Sequence, residues 1–144
     1  MIDLFDLIEK RHFLTYNDCY MGREEMLAYL AENHIKYDIE STYELDLQCV
    51  FVCINKHSRI QILFYGDTVS NIFLEMYDTF YFFKDHKVKN NGIDAFIKEL
   101  EKCKIGWRFK ETMSDKIILL EVGALVFHFN YDVCSYLYKI SYKE

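Results

Sequence analysis

Cys49 and Cys53, four residues apart, are the nearest this chain comes to a spaced pair of metal-ligating side chains. Two thiolates hold zinc readily from a C-x-x-C turn. A spacing of four inside an apolar run puts both thiols on one side of a strand instead, with Phe51 between them. The five cysteines, Cys19, Cys49, Cys53, Cys103 and Cys134, are therefore read as buried free thiols, the usual fate of cysteine in a core. The histidines His12, His34, His57, His86 and His128 are scattered singly, with no helical H-E-x-x-H pair. Asp85 and His86 are the types needed for an orienter and a base, but adjacent residues of an extended chain point apart and no motif places a nucleophile beside them. The five glycines form no phosphate-cradling pattern. No catalytic, metal or cofactor-binding residue is expected, and the chain is read as a non-enzyme.

Charge is the more informative pattern. Residues 1 to 46 carry 11 acids against 4 bases, whereas residues 84 to 144 carry 9 acids against 11 bases. The acids Asp38, Glu40, Glu44 and Asp46 form a run with Tyr43 inside it. A carboxylate surface with one embedded aromatic is suited to a basic protein partner, because charge steers the encounter and an aromatic anchors the contact. The expected partner-binding residues are Asp38, Glu40, Tyr43, Glu44 and Asp46. Trp107, Arg108, Phe109 and Lys110 have the composition of a single-strand nucleic-acid platform. Alternation turns Trp107 and Phe109 toward the core side, and a pI near 5.4 opposes phosphate binding. Direct nucleic-acid binding is not expected.

Periodicity supplies the elements that position these residues. Leu4, Phe5, Leu7 and Ile8 recur at helical spacing, so residues 3 to 11 read as a short amphipathic helix. Residues 23 to 34 place Met26, Leu27, Leu30 and Ala31 on one stripe, and 92 to 104 do the same with Ile93, Phe96, Ile97, Leu100 and Cys103, with Asn91 as a candidate cap. After each helix the period changes to two. Residues 36 to 40 and 106 to 110 read as strands packed on their helices. Residues 47 to 54 and 59 to 65 flank the polar turn Asn55–Ser58 as a hairpin, and 116 to 129 form another around Gly123. Further strands are expected at 70 to 77 and 135 to 142.

The two series are alike. Leu30, Ile35, Tyr37, Ile39 and Thr42 match Leu100, Ile105, Trp107, Phe109 and Thr112 at an offset of 70, and Phe64, Asp67, Ser70 and Ile72 match Phe129, Asp132, Ser135 and Leu137 at 65. The expectation is an α+β protein with an internally duplicated α-β-β-β unit, the copies sharing one core with pseudo-two-fold symmetry behind a short N-terminal helix. Within a single domain of 144 residues, 1 to 20 are the N-terminal helix and lead-in, 21 to 77 copy one, 78 to 90 an aromatic connector containing Phe80 to Phe83, and 91 to 144 copy two.

An apolar content of 51% without Pro-, Gly- or Ser-rich tracts argues against disorder. No apolar run approaches the roughly 20 residues of a membrane span. Acids at Asp3 and Asp6 in place of a basic signal region, with an odd cysteine count, lead to an expected cytoplasmic location. In size, acidity and lack of catalytic motifs the chain resembles a general type of small bacterial or phage protein, among which toxin-immunity proteins and phage anti-defence inhibitors are frequent. That resemblance and the acidic run together imply a stoichiometric inhibitor of a basic toxin or nuclease. The alternatives are a module binding a small apolar ligand between Phe80 to Phe83, Trp107 and Tyr136, and a homodimeric scaffold or subunit.

Overall fold

The computed structural model describes residues 4–41, 46–56, 58–76, 92–111, 114–131 and 136–143. The fold is α+β, with every strand antiparallel to its neighbour. In chain order the elements are α1 (Leu4–Lys10), a 3-10 turn (Asp18–Tyr20), α2 (Arg23–Glu32), β1 (Tyr37–Ser41), β2 (Leu47–Asn55), β3 (Ser58–Tyr65), β4 (Thr68–Met76), α3 (Ile93–Lys102), β5 (Arg108–Lys110), β6 (Ile117–Val122), β7 (Leu125–Asn130) and β8 (Tyr136–Tyr142). Helices and strands fall where the change of period puts them. Four strands follow each of α2 and α3, at the four segments the period-two pattern marks after each helix, where the shorthand α-β-β-β counts three. The candidate cap Asn91 and the connector 78 to 90 lie outside the described residues.

The chain divides into two compact units. The first runs from His12 to Glu75, with strand order β1-β2-β3-β4. Alternation along β2 and β3 sends Val50, Val52, Ile60, Ile62 and Phe64 to the buried face, together with Ile72 and Leu74 of β4 and Met26 and Leu30 of α2. Helix and sheet are tied at the edges by Arg23: its N–H donates to the Asp67 carbonyl at 2.8 Å and its Nε to Gln48 Oε1 at 2.7 Å. Before α2, the buried Asp18 carboxylate accepts hydrogen bonds from the backbone N–H groups of Phe13 (3.0 Å) and Leu14 (2.9 Å), closing the lead-in.

The second unit combines α1 with the chain from Met76 onward, its strands ordered β8-β7-β6-β5. Phe96 of α3 is fully buried against Phe127 and Phe129, with ring centroids 4.8 and 5.6 Å away. Leu120, Leu137 and Ile140 fill the same face. Register pairs Leu120 with Phe127 and Phe127 with Ile140.

Within their own units, α2 and α3 begin and end alike. Each follows a glycine in extended conformation, Gly22 or Gly92, whose carbonyl accepts the first helical bond. At the other end Ile35 N–H donates to Leu30 and His34 N–H to Ala31, while Ile105 donates to Leu100 and Lys104 to Glu101. This double bond pattern is the Schellman close, which needs a left-handed residue after the helix. His34 (φ 56°) and Lys104 (φ 57°) adopt it without being glycine.

Two sequence expectations are corrected. Tyr37, Ile39, Trp107 and Phe109 do face the buried side, since Ile39 lies opposite Val50 and Phe109 opposite Leu120. They are not core residues: Ile39 is 44% and Phe109 59% exposed, and Trp107 is half-buried with its ring edge-on to Phe109 at 5.2 Å. β1 and β5 each stand at one end of the strand order, and most of their residues are exposed. The cysteines also divide, Cys49 being buried but Cys53 exposed at the frayed, irregular end of β2.

Phe96→Ala should cost about 3 to 5 kcal/mol in chemical denaturation, because the lost transfer energy and the cavity add. Phe109→Ala should cost less than about 1 kcal/mol, its ring being mostly in water. His34→Gly and Lys104→Gly should each raise stability by about 0.5 to 1 kcal/mol, since glycine reaches the left-handed region without a Cβ clash; a loss of stability in both would contradict the close described.

Candidate functional site

Asp38 and Glu40 lie on β1 and, being two apart, share one face. Their partners in register are half-buried Phe51 and buried Cys49 of β2, on the face opposite Val50 and Val52. Further in, Phe51 pairs with Gln61 and Cys49 with Leu63 on β3. This open face is organised around Arg59, whose guanidinium lies 4.2 Å from the Phe51 ring centroid and whose Nε meets Glu75 at 2.5 Å. Gln61 Nε2 approaches Cys49 Sγ at 3.5 Å. Arg59 is thus engaged inward, by Phe51 and Glu75. Asp38 and Glu40 stand exposed at its margin, and among the described residues neither has an ion-pair partner.

Asp46 is exposed in the turn entering β2, held by Gly66 N–H donating to its carbonyl at 2.8 Å. Gly66 has φ 61°, the left-handed value that the β3–β4 turn requires. Tyr43 and Glu44 lie outside the described residues. Of the five expected partner-binding positions, Asp38 and Glu40 share a strand face and Asp46 follows in the same unit.

The second unit carries a different open face. Glu121 is buried, 7% exposed, and accepts from Arg108 Nε of β5, with Lys143 Nζ 3.5 Å away. The Arg108 hydrogen bond holds its carboxyl below the usual range, against the opposing effect of burial. These three residues, with Gly106, Trp107 and Gly123, line a surface cavity of about 240 Å³. Its polar groups already satisfy one another.

Alternation along β7 sets His128 on the face opposite Phe127 and Phe129. The ring does face away from them, yet it is half-buried and its Nε2 lies 2.9 Å from Ser141 Oγ. The pairing of β7 with β8 shifts between His128 and Phe129, and strand register of this kind is set by the assembled sheet rather than by any local signal. Burial, then the charges of Lys139 and Lys110, push the imidazole down to about 4. It is neutral at pH 7. Histidine and serine at this distance are the first two members of a nucleophilic relay, but the surrounding charges are cations, and among the described residues no carboxylate hydrogen-bonds the ring to orient it. Nor do three or more His, Cys, Asp or Glu side chains come together as metal ligands among them. The Asp85–His86 pair and Cys134 lie outside the described residues, and within them no helix is long and apolar enough to cross a membrane.

Comparison with protein-family models, with curated proteins and with solved structures finds no match to this chain.

His128 makes a pH-dependent contribution whose sign is fixed. Its pKa is lower folded than unfolded, so the unfolded chain takes up the proton first as pH falls. The contribution is complete above about pH 6.5 and is lost progressively toward pH 4. Against His128→Gln, which cannot titrate, wild type should lose about 1 to 2 kcal/mol more between pH 7 and 4.5, the range allowing for the partly exposed ring. Parallel stability curves would show that burial does not hold the ring neutral.

Proposed function

We propose that this chain is a non-catalytic protein-binding inhibitor, of the toxin-immunity or phage anti-defence kind, that blocks a basic, nucleic-acid-directed effector. The observation supporting this is the pair Asp38 and Glu40: two exposed carboxylates on one face of an outer strand, beside an arginine, Arg59, that is committed to Glu75. An effector that handles nucleic acid has a positive groove. A rigid carboxylate-bearing edge competes for that groove and attracts it over long range. Tyr43, Glu44 and Asp46 complete the proposed contact.

The same proposal includes the duplication, with α2–β4 and α3–β8 as diverged copies that share a core about a pseudo-two-fold axis. Matching glycine starts, matching Schellman ends and the equivalent burial of Leu30 and Leu100, Phe64 and Phe129, and Ile72 and Leu137 support it. Core positions would have kept their class while Asp38 and Glu40 diverged from their counterparts Arg108 and Lys110. The small-ligand alternative gains nothing from the cavity beside Glu121, whose lining is charged.

Reversing Asp38, Glu40, Glu44 and Asp46 to lysine should leave stability within about 0.5 kcal/mol per exposed site. In affinity capture from the native host at low salt, wild type should retain a basic protein that the reversed variant does not. Its retention should weaken as salt rises and screening shortens to about 8 to 10 Å. Identical captures by both proteins would remove the acidic edge from the account.

A further inference from the structure

We infer that the two outer strands are complementary to each other, and that this chain self-associates by pairing β1 of one copy with β5 of a second. An outermost strand exposes a row of unsatisfied backbone N–H and C=O groups, and natural proteins blunt such edges with charge. Here the two edges carry opposite signs at equivalent positions. β1 presents Asp38 and Glu40 on its open face and Ile39 on the other; β5 presents Arg108 and Lys110 on its open face and Phe109 on the other. Among the described residues, no strand lies on the outer side of either.

Residues directly opposite in an antiparallel pair point to the same face. Setting Ile39 opposite Phe109 therefore brings Asp38 opposite Lys110 and Glu40 opposite Arg108. The two open faces become continuous, and the exposed Ile39 and Phe109 side chains cover each other. Asp38 gains Lys110, Ile39 gains Phe109, and Glu40 comes beside Arg108, which keeps its bond to Glu121. Like edges have no such solution: β1 against β1 in the same arrangement puts Asp38 opposite Glu40 twice, and β5 against β5 puts Arg108 opposite Lys110 twice. Charge thus blocks both symmetric pairings and permits the unlike one. The occupant of β1 is consequently the basic edge of another copy, an interaction that stands independently of any foreign partner and would compete with one for the same strand. An overlap of three residues makes it weak and reversible, in the class of small transient contacts.

The test is sedimentation equilibrium of the purified chain up to about 1 mM, in low salt and in about 0.5 M salt. Wild type should show an average mass that rises with concentration and falls back as salt is added. Asp38→Lys and Lys110→Glu should each weaken association about three- to tenfold, while an equimolar mixture of the two variants, or both changes in one chain, should recover it. Arg108 is left unchanged because it satisfies the buried Glu121. A wild type that stays monomeric in low salt overturns the proposal. So does association that both variants retain, or a mixture that recovers nothing. Should either variant lose its fold by circular dichroism, the wild-type salt series decides, and association indifferent to salt is fatal.

Discussion

A short helix cannot cover a four-stranded sheet. Ten residues of α-helix make a rod about 15 Å long and about 10 Å across, whereas four strands spaced about 4.8 Å apart span about 14 Å between the outer backbones and the longer ones run about 20 to 30 Å, so the rod leaves part of the sheet bare whichever way it lies. Something at the margin stays wet. In each unit the most exposed strand is the first after the helix, β1 or β5. That constraint explains why Ile39 and Phe109 are exposed although they lie on the buried face, why both strands carry charge on the other face, and why the candidate interface sits at an edge rather than in a cleft.

The deeper parts of each unit obey ordinary core packing. Phe64, Phe96, Phe127 and Phe129 are fully buried, and large apolar rings in a close-packed interior resist change of class. Nothing comparable restrains the margins. If the units are diverged copies as proposed, Asp38 and Arg108, like Glu40 and Lys110, are counterparts that differ in sign, as expected where side chains meet water rather than each other. Function on this account resides where packing constraint is weakest, and the interior serves to hold the two edges rigid.

Much of this was legible in the sequence because it depends on local period. The shift from 3.6 to 2 after Leu30 and after Leu100 marks where each helix gives way to strands, and the Asn55–Ser58 turn marks the first hairpin. Exposure of Phe109 was not legible, since alternation assigns a face but cannot say how far along the sheet the helix reaches. His128 beside Ser141 was hidden for a related reason: the pair exists only once β7 and β8 settle into a shifted register. Asp18 gave no signal either, because its role depends on Phe13 and Leu14 turning their N–H groups toward it. Asp38 and Glu40 were legible as a charge run, and the offset of 70 set them against Arg108 and Lys110; that both strands end their sheets became visible only in the fold.

The central claim is that β1 is an open edge available for pairing. Residue-resolved amide hydrogen exchange of Tyr37–Ser41, followed from dilute to concentrated protein in low salt, addresses it directly, because exchange reports whether a backbone N–H is bonded or meets water. The account predicts that alternate amides of β1 exchange rapidly in dilute solution, that they gain protection as concentration rises, and that salt reverses the gain. Uniform protection of all β1 amides in dilute protein would mean that the edge is already occupied, and would contradict it.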